Sequence, residues 1–463
     1  MKLFSGIEKM FKSLLPSPFS IALLLTVVTF VLAWITTASH SSGWSRGVEL
    51  LNFWQQGLWE TKLLAFAIQM MLMLVLGHVL ALTKPIDRFI GYATQYCNTT
   101  ANAALIVTFL TICTSLFNWG LGLIFGAILA RKVGEHAVKR GVTLNYSLIG
   151  AAGYSGLMVW HGGISGTASI MAAEDNHISN MMDGISGSDQ LSQFPSNISM
   201  SDTIFGAMNS VTIIVLLVVL PLFMYWLGKR SQETTNLPSI QKELVLNSEV
   251  GVQGAERLDR SFLFALFFGL VLLTYSGYVA AIGYPEKGLG FITPNFINLI
   301  LLGLCLSLHG SIKSFLSGVD RAIGGTAGIL IQFPLYFGIM GIMKHSGMVQ
   351  DMANYFSEIS SDLTFPLYTF FSSGVVNIFV PSGGGQWTIQ GPIIIKAAAE
   401  LGVDLPKAIM ALSYGDQLTN MLQPFWALPL LGITGLKANS ILPYTLALMV
   451  VGSFIFAAVL LLF

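Results

Sequence analysis

Four runs of polar and glycine residues interrupt an otherwise apolar chain, at 114–120, 153–167, 372–387 and 413–424. None of these four polar runs contains a lysine or an arginine. Where a helix is broken, its free N–H groups and the positive end of its dipole attract anions. The carbonyl oxygens at the other broken end suit a hard cation such as Na⁺. The four polar runs therefore predict a site that binds a small carboxylate and a cation.

The candidate substrate-binding residues lie within the polar runs. They are Ser115, Asn118, Trp119, Gly162, Gly163, Ser165, Asn377, Ser382, Gly383, Gly384, Gly385, Gln386, Trp387 and Gln423. The segment 382–386 suits a backbone nest, because glycine lets the main chain approach an anion closely. An apolar wall for a short acyl chain is predicted from Trp119, Trp160, Trp387 and Trp426.

The candidate residues for coupling to a cation are Asn118, Asn377, Asp416, Thr419 and Asn420, with Na⁺ expected near the first two. Asp416 is the only acid inside a predicted span, and ionisable groups within a membrane are functional candidates. It is either a cation ligand, a proton carrier or the cap of a broken helix. His161 is interpreted as structural. Any single glycine in the polar runs could instead serve close helix packing. Asn118 or Asn377 could instead form a hydrogen bond between helices.

The composition indicates the kind of protein that must position these residues. Of 463 residues, only 10% are charged and 54% are hydrophobic, and the mean hydropathy is +0.70. A soluble protein has about 25% charged residues, so the chain is predicted to be an all-α integral membrane protein. Its net charge of zero does not favour a nucleic-acid partner. The three cysteines match neither a disulfide framework nor a metal site.

Hydropathy predicts nine full spans, of which two are interrupted. The uninterrupted spans are 18–36, 62–82, 204–227, 261–283, 291–309, 324–345 and 440–463. The interrupted spans are 144–172 and 405–432, and two longer regions, 102–130 and 365–396, are predicted to be re-entrant hairpins. With a cytoplasmic N-terminus, this arrangement places 17 of the 23 Lys and Arg residues on the cytoplasmic side. If each hairpin region instead crossed the membrane once, only 8 of them would lie on that side.

The predicted elements follow the same order in both halves of the chain. Residues 1–227 form the first repeat and residues 284–463 the second, each with two spans, a hairpin, an interrupted span and a final span. Residues 228–260 are a cytoplasmic linker, and 261–283 is an extra connecting span that turns the second repeat upside down. Such inverted repeats are typical of secondary transporters, which bind substrate where broken helices meet. No function is assigned to the predicted extracytoplasmic loop 173–203.

Two motifs carry a family resemblance. VPSGGGQW at 380–387, followed by QGP at 390–392, resembles the signature of the short-chain fatty acid transporters, the AtoE-type permeases. GDQ at 415–417, TN at 419–420 and QPFW at 423–426 resemble a second motif of that family. The resemblance covers essentially the whole chain. It implies a permease of the bacterial inner membrane that carries acetoacetate, butyrate or similar monocarboxylates.

More distantly, the arrangement is similar to the ion-transporter superfamily of dicarboxylate and aminobenzoyl-glutamate carriers. That resemblance implies cation coupling, alternating access and a homodimeric scaffold with a moving transport domain. In the dicarboxylate carriers, Ser-Asn-Thr at each hairpin tip binds substrate and Na⁺. Here Trp119 follows Asn118 and Ile378 follows Asn377, so the third residue of the motif is absent. Na⁺ and H⁺ both stay open as coupling ions.

Two other functions compete with transport of a monocarboxylate. An ion antiporter could use the same architecture, although antiporters commonly need more intramembrane acid than Asp416 alone. Ser165 in GISG at 163–166, with His161 nearby, matches the motif of intramembrane serine proteases, but a nucleophile needs a base within hydrogen-bond reach. The expected protein is a carrier without enzymatic activity or a cofactor. Its expected partners are the carboxylate, the lipid bilayer and a second copy of the chain.

Overall fold

The structure is a computed structural model. It describes residues 18–37, 43–174, 176–182, 194–231, 254, 256–283, 293–348, 351, 355, 358–381 and 383–463. These residues form helices and connecting turns, with no β-strand among them. Ser382 and most of the predicted linker 228–260 lie outside the described residues.

Six continuous helical stretches of the described residues, one of which joins two α-helices through a 3₁₀ turn, are long and apolar enough to cross a bilayer core about 30 Å thick. They are Leu63–Leu80, Thr100–Phe117, Ala207–Arg230, Phe262–Ile282, Ile312–His345 and Ala438–Leu462. Large apolar side chains on several of them are exposed, such as Phe267 and Tyr275. Because lipid can cover such side chains and water cannot do so favourably, the chain is a multi-pass membrane protein.

The first half of the chain contains ten helices in the described residues. They are α1 Pro18–Thr36, α2 Trp44–Leu58, α3 Thr61–Ala81, α4 Lys84–Thr94, α5 Thr100–Phe117, α6 Trp119–Arg140, α7 Tyr146–Tyr154, α8 Thr167–Ala173, α9 His177–Met182 and α10 Ala207–Arg230. Short polar side chains cap several of them: Thr99 begins α5 and Asn145 begins α7 by accepting a backbone N–H three residues on.

The second half also contains ten described helices. They are α11 Glu256–Asp259, α12 Phe262–Tyr278, α13 Pro294–His309, α14 Ile312–Ala322, α15 Ala327–His345, α16 Phe365–Phe379, α17 Gly383–Leu401, α18 Leu405–Thr419, α19 Pro424–Thr434 and α20 Ala438–Leu462. Proline stands in the first turn of α13, α16, α18 and α19, where its missing N–H would have no helical partner. The helices α2, α4 and α14 were not predicted as separate elements.

Both halves contain a helix that folds back on its predecessor. A Cβ at Gly122 would meet Ser115 and one at Gly126 would meet Thr111, so α6 runs antiparallel to α5. The second pair, α16 and α17, is joined through the side chain of Gln386, which donates to the carbonyl of Ser373. These pairs coincide with the two predicted hairpin regions.

In each half the next helix runs parallel to the first member of the pair. At the starts of α7 and α5, the Asn145 N–H donates to the Thr100 hydroxyl, and these two residues are 45 positions apart in the sequence. In the second half, the Thr419 hydroxyl donates to the Gly374 carbonyl, also across 45 residues. The two halves therefore use the same register between corresponding helices.

The helices form two groups. The scaffold helices are α1, α2, α3, α13, α14 and α15, and the core helices are α5–α8, α10 and α16–α20. Corresponding pairs recur within them, since α1 packs on α15 as α13 packs on α3, and α2 packs on α15 as α14 packs on α3. Glycine permits the closest scaffold contact, where a Cβ at Gly57 would lie 2.2 Å from the Phe337 carbonyl.

Candidate functional site

The turn between α5 and α6 contacts the middle of the first interrupted helix. Asn118 is extended there, and its Oδ1 accepts the Leu121 N–H at 2.9 Å, which caps α6. The Trp119 N–H donates to Ser165 Oγ at 3.1 Å, and the Ile164 N–H donates to the Leu116 carbonyl at 2.9 Å. The predicted residues Asn118, Trp119 and Ser165 thus lie close together, although the Asn118 side chain itself bonds to α6, the helix that it caps.

The first interrupted helix is broken between Tyr154, where α7 ends, and Thr167, where α8 begins. Two short 3₁₀ turns, Ser155–Met158 and Trp160–Gly162, lie in this first break. A Cβ at Gly163 would lie 2.1 Å from the Leu116 carbonyl. Gly163 therefore permits the close approach of two backbone segments, which is the packing role that the sequence left open.

Two further predicted residues of the first half also lie in packed contacts. Ser115 Oγ is buried without a hydrogen-bond partner among the described residues, and a Cβ at either Gly122 or Gly156 would lie 1.9 Å from it. The Gly162 carbonyl accepts a hydrogen bond from the Asn209 amide at 2.9 Å. Both residues therefore lie where the first break packs closely against neighbouring helices.

The side chain of Asn377 contacts several polar groups of the second interrupted helix. Asn377 Nδ2 lies 2.7 Å from the Asp416 carbonyl, 3.0 Å from Thr419 Oγ1 and 2.9 Å from Asn420 Oδ1. The Gln423 amide donates to the Asn377 carbonyl at 2.6 Å. The second break, residues 420–423, is therefore bound directly to the end of α16, whereas Asn118, the remaining residue of the predicted coupling set, caps α6 and does not join this cluster.

A buried pair of ionisable side chains joins the two halves of the chain. His161 Nε2, in the first break, lies 3.3 Å from Asp416 Oδ1 on α18, and both side chains are almost completely buried. The His161 backbone N–H donates to Gln417 Oε1 at 2.9 Å. A Cβ at Gly383, the first residue of α17, would lie 2.9 Å from His161 Nε2. His161 is thus at the junction of three predicted polar runs.

Three of the four predicted tryptophans form one aromatic cluster. The Trp119 ring lies 5.6 Å from Trp160 and 5.0 Å from Trp426, between ring centroids. Phe66 of α3 and Phe333 of α15 extend the cluster to the scaffold helices. The Trp160 ring also lies 3.6 Å from the His161 ring, so the apolar cluster adjoins the ionisable pair.

Trp387 does not belong to this aromatic cluster. Its Nε1 donates to His177 Nε2 at 3.0 Å, and the ring is buried in a smaller core with residues of α8, α9 and α17. Trp387 thus anchors part of the segment 173–203 on α17. Gly384 and Gly385 follow Gly383 in the first turn of α17 and are partly exposed.

The site has many buried polar atoms but no cationic side chain that is always charged. Lys and Arg are absent from residues 141–228, 345–395 and 408–436. Several buried polar atoms have no hydrogen-bond partner in the described part of the chain: Ser115 Oγ, both ring nitrogens of His161, Ser373 Oγ, Asn377 Oδ1, Gln386 Oε1, Gln390 Nε2, Asp416 Oδ2 and Gln423 Oε1. The amide oxygens of this set can only accept hydrogen bonds and suit a proton or a cation, whereas the serine hydroxyls and Gln390 Nε2 can donate to an anion.

A cavity of about 120 Å³ lies beside the second break, within the core helices. Gln423, Tyr154 and Thr445 line it, together with Asn439 and Leu442 near the start of α20. The cavity extends from Gln423, a predicted substrate residue, to the first turn of α20, which begins directly after Lys437. Its lining is mostly apolar, which suits an acyl chain.

Comparison with known proteins gives a consistent result over the whole chain. A family model described as short chain fatty acid transporter matches residues 2–463. A protein of Escherichia coli K12, provisionally named short-chain fatty acid transporter, is 35% identical over 97% of this chain and 96% of its own. One of Haemophilus influenzae with the same provisional name is 36% identical over 94% of each. These names indicate a transporter and not an enzyme.

Two solved structures are similar at low scores. The YdaH transporter of Alcanivorax borkumensis has a TM-score of 0.45 and 14% identity, covering 96% of this chain and 98% of its own. MtrF of Neisseria gonorrhoeae, described in connection with antimetabolite efflux pumps, has a TM-score of 0.39 and 12% identity, covering 97% and 96%.

Proposed function

We propose that this chain, which belongs to the short-chain fatty acid transporter family, is a secondary active transporter of monocarboxylates such as acetoacetate and butyrate. One observation carries the proposal: the break of the first half meets α18 and the start of α17 of the second half at His161, Asp416 and Gly383, beside a tryptophan cluster. Each unpartnered buried polar atom costs about 1–3 kcal/mol of stability. A concentration of such atoms is not explained by folding and favours a ligand site.

The proposed carboxylate position is the N-terminus of α17, at Gly383–Gln386. The dipole of this 19-residue helix directs its positive end there. The acyl chain then lies against the aromatic cluster of Trp119, Trp160 and Trp426, which begins one ring away from His161. Ser165 lies next to this path through its bond with the Trp119 N–H.

We infer that transport follows alternating access by an inverted repeat with two re-entrant hairpins and nine spans. The equal 45-residue register in both halves supports the repeat. The recurring helix pairs of the scaffold support it independently. In such carriers, one group of helices moves against the other around a fixed site.

The proposed location is the bacterial inner membrane, with the N-terminus in the cytoplasm. Arg140 bonds to Asn98 before α5, and Arg131 bonds to the Ile433 carbonyl near the end of α19. The basic ends of several helices therefore share one face. That clustering supports a cytoplasmic location for this face. A homodimer through the scaffold helices stays a prediction from the family resemblance.

Counterflow in proteoliposomes tests the proposed function. Vesicles loaded with unlabelled butyrate should take up labelled butyrate transiently, faster than protein-free vesicles, and succinate should not compete. Trp119→Ala should weaken the apparent affinity severalfold, because it removes one wall of the aromatic cluster, whereas Trp387→Phe should leave it unchanged. Lack of counterflow with every monocarboxylate from two to six carbons would exclude the proposal.

Ion exchange on the same architecture is the competing function. A pH-sensitive dye inside the same vesicles distinguishes the two. Proton movement driven by Na⁺ in the absence of any carboxylate would support an antiporter instead.

A further inference from the structure

We propose that His161 and Asp416 together form a proton site, and that one proton binds to this pair when the carboxylate binds. This inference rests on the proposed function, and it makes the protein a proton–monocarboxylate symporter. Transport of one proton with one monocarboxylate is electroneutral. The pair belongs to two halves of the chain, His161 to the first break and Asp416 to α18.

The first argument is the geometry of the pair. His161 Nε2 and Asp416 Oδ1 are 3.3 Å apart, with both side chains shielded from solvent. In the described residues, neither ring nitrogen of His161 has a hydrogen-bond partner, and Asp416 Oδ2 has none either. The backbone N–H of His161 is held by Gln417, and the ring is held against Trp160. One proton added to either the imidazole or the carboxylate therefore neutralises the pair.

The second argument is the charge around the pair. Two tyrosines on elements packed against the pair bond elsewhere: Tyr154 donates to the Asn420 carbonyl, and Tyr414 to Asn209 Oδ1. His177 contacts Trp387, four residues beyond Gly383 on α17, and Glu174 is seven residues beyond Thr167, roughly 10 Å along the helix axis. Lys407 is nine residues before Asp416 on α18, about 13 Å along the helix axis. Lys396 is 13 residues beyond Gly383 on α17, about 19 Å along that axis.

Within the part of the chain that the structure describes, the remaining elements packed against the pair add no further charge close to it. The parts of α5, α8, α10 and α16 that adjoin the first break contain neither Lys, Arg, Asp nor Glu. Arg131 is 12 residues beyond Trp119 on α6, roughly 18 Å along its axis. With neutral histidine, the pair has a net charge of −1 and repels a carboxylate. With one more proton it is neutral.

The coupling follows from this difference. In a buried site of low dielectric constant, a like charge nearby strongly disfavours an incoming anion. Protonation of the pair removes that repulsion, so proton and carboxylate each raise the affinity for the other, by the same factor. Because no Lys or Arg neutralises the carboxylate, the proton is the positive charge that accompanies it.

The structure favours a proton over Na⁺ at this position. The oxygens that would suit Na⁺ are the Asp416 carbonyl, Thr419 Oγ1 and Asn420 Oδ1, and the amide nitrogen of Asn377 already lies among them. The Asp416 carboxylate instead faces an imidazole. An imidazole binds a proton readily and does not suit a hard cation.

Proton uptake on ligand binding tests the inference directly, without a membrane through which neutral butyric acid could diffuse. The purified full-length chain in weakly buffered detergent at pH 7.5 is titrated with sodium butyrate at the same pH, with a pH dye and calorimetry. We expect about one proton to be taken up per butyrate bound. Once pH exceeds the range in which the free pair is protonated, affinity should fall about tenfold per pH unit.

Two variants and a matched control assign the proton. Asp416→Asn and His161→Gln should bind butyrate with little or no proton uptake and with affinity independent of pH. Asp404→Asn removes an exposed carboxylate just before the same helix and should behave as the parent chain. The number of protons that the parent chain takes up per butyrate bound tests the inference even if a variant does not fold.

The outcomes are distinguishable from failure of the proposed function. Absence of butyrate binding to the folded parent chain would contradict the proposed function itself. Butyrate binding without proton uptake, or binding that requires Na⁺ and ignores pH, would overturn the proton site and leave the transporter proposal intact. Full proton uptake by both variants would also overturn it.

Discussion

Gly383 shows how one missing side chain determines the geometry at the centre of the molecule. It is buried, and a Cβ there would lie 2.8 Å from His161 Cε1 and 3.1 Å from Thr167 Oγ1. The His161 ring cannot retreat freely, because the Trp160 ring lies against it. Glycine at this position thus lets α17 begin in contact with the ionisable pair.

Gly383→Ala should lower the rate of butyrate counterflow at least tenfold, because the added methyl group displaces the His161 ring from Asp416. Gly277→Ala on α12 is the control, since a Cβ there would meet nothing within 4 Å. Both variants are expected to elute as folded protein in size-exclusion chromatography. Equal counterflow in the two variants would contradict the assigned role of Gly383.

The sequence predicted most polar residues of this centre but not their pairing. Asp416 and Asn377 were identifiable because polar residues in apolar spans are rare. His161 was interpreted as structural, since nothing local shows that it faces an acid from the other half of the chain. Trp387 was grouped with the other tryptophans by type, whereas tertiary contacts bring it to His177. Both features depend on long-range packing, which local patterns do not encode.

At the scale of elements, a polar contact between two aromatic rings attaches the segment after α8 to α17. Trp387 Nε1 donates to His177 Nε2 at 3.0 Å, while Glu174 lies 3.9 Å from His177 Nδ1. The Ile198 N–H donates to the Ala172 carbonyl and the Ile178 N–H to the Ser196 carbonyl. Residues 176–182 and 194–203 thereby form one packed unit on the core helices.

This attachment should weaken in acid. Burial lowers the pKa of His177, and the Glu174 carboxylate opposes that shift only partly. Nε2 accepts a hydrogen bond, so the attached form needs neutral histidine. The detached form binds the proton more readily, and attachment should weaken as pH falls below the ordinary histidine pKa of about 6.5. Hydrogen exchange of residues 194–203, corrected for intrinsic rates between pH 5 and 8, measures this.

Two variants separate the hydrogen bond from other acid effects. Trp387→Phe removes the donor and should accelerate exchange about threefold to tenfold at pH 8, as expected for a bond worth about 1 kcal/mol. His177→Gln cannot titrate and should abolish the pH dependence. Unchanged acid sensitivity in His177→Gln would assign the effect to another group.

At the scale of the whole molecule, the two groups of helices are packed together unevenly. Scaffold helices α3 and α15 contact core helices α6 and α19 on the face that carries Arg131 and Lys437. The corresponding core helices of the opposite repeat, α17 and α8, have at most marginal contact with α3 or α15 in the described residues. For an inverted repeat, this is the arrangement expected when one of two symmetry-related seams is closed.

Hydropathy was sufficient to predict an all-helical membrane protein with several apolar spans, because lipid imposes long apolar helices on the sequence directly. It could not predict this uneven contact. The seam depends on the shapes of small residues on distant helices, such as Gly325 against Gly432, where a Cβ at Gly432 would lie 2.7 Å from the Gly325 carbonyl. The amphipathic helices α2 and α14 were missed for a related reason: they lack the long apolar run by which spans are recognised.

Disulfides across the closed seam should stop transport, if scaffold and core must separate there. A Cβ at Gly77 would lie 3.5 Å from Ile124 Cβ, and one at Gly328 would lie 3.8 Å from Leu428 Cβ, both within disulfide range. In a chain with Cys97, Cys113 and Cys305 replaced, oxidation of Gly77→Cys/Ile124→Cys or Gly328→Cys/Leu428→Cys should abolish counterflow, and reduction should restore it.

The control is each single-cysteine chain of these two pairs, treated with the same oxidant. Because one cysteine alone cannot close a disulfide within the chain, each single-cysteine chain should keep its counterflow. Full activity of either fully cross-linked seam pair would mean that this contact persists throughout the cycle, and that any movement occurs within the core instead.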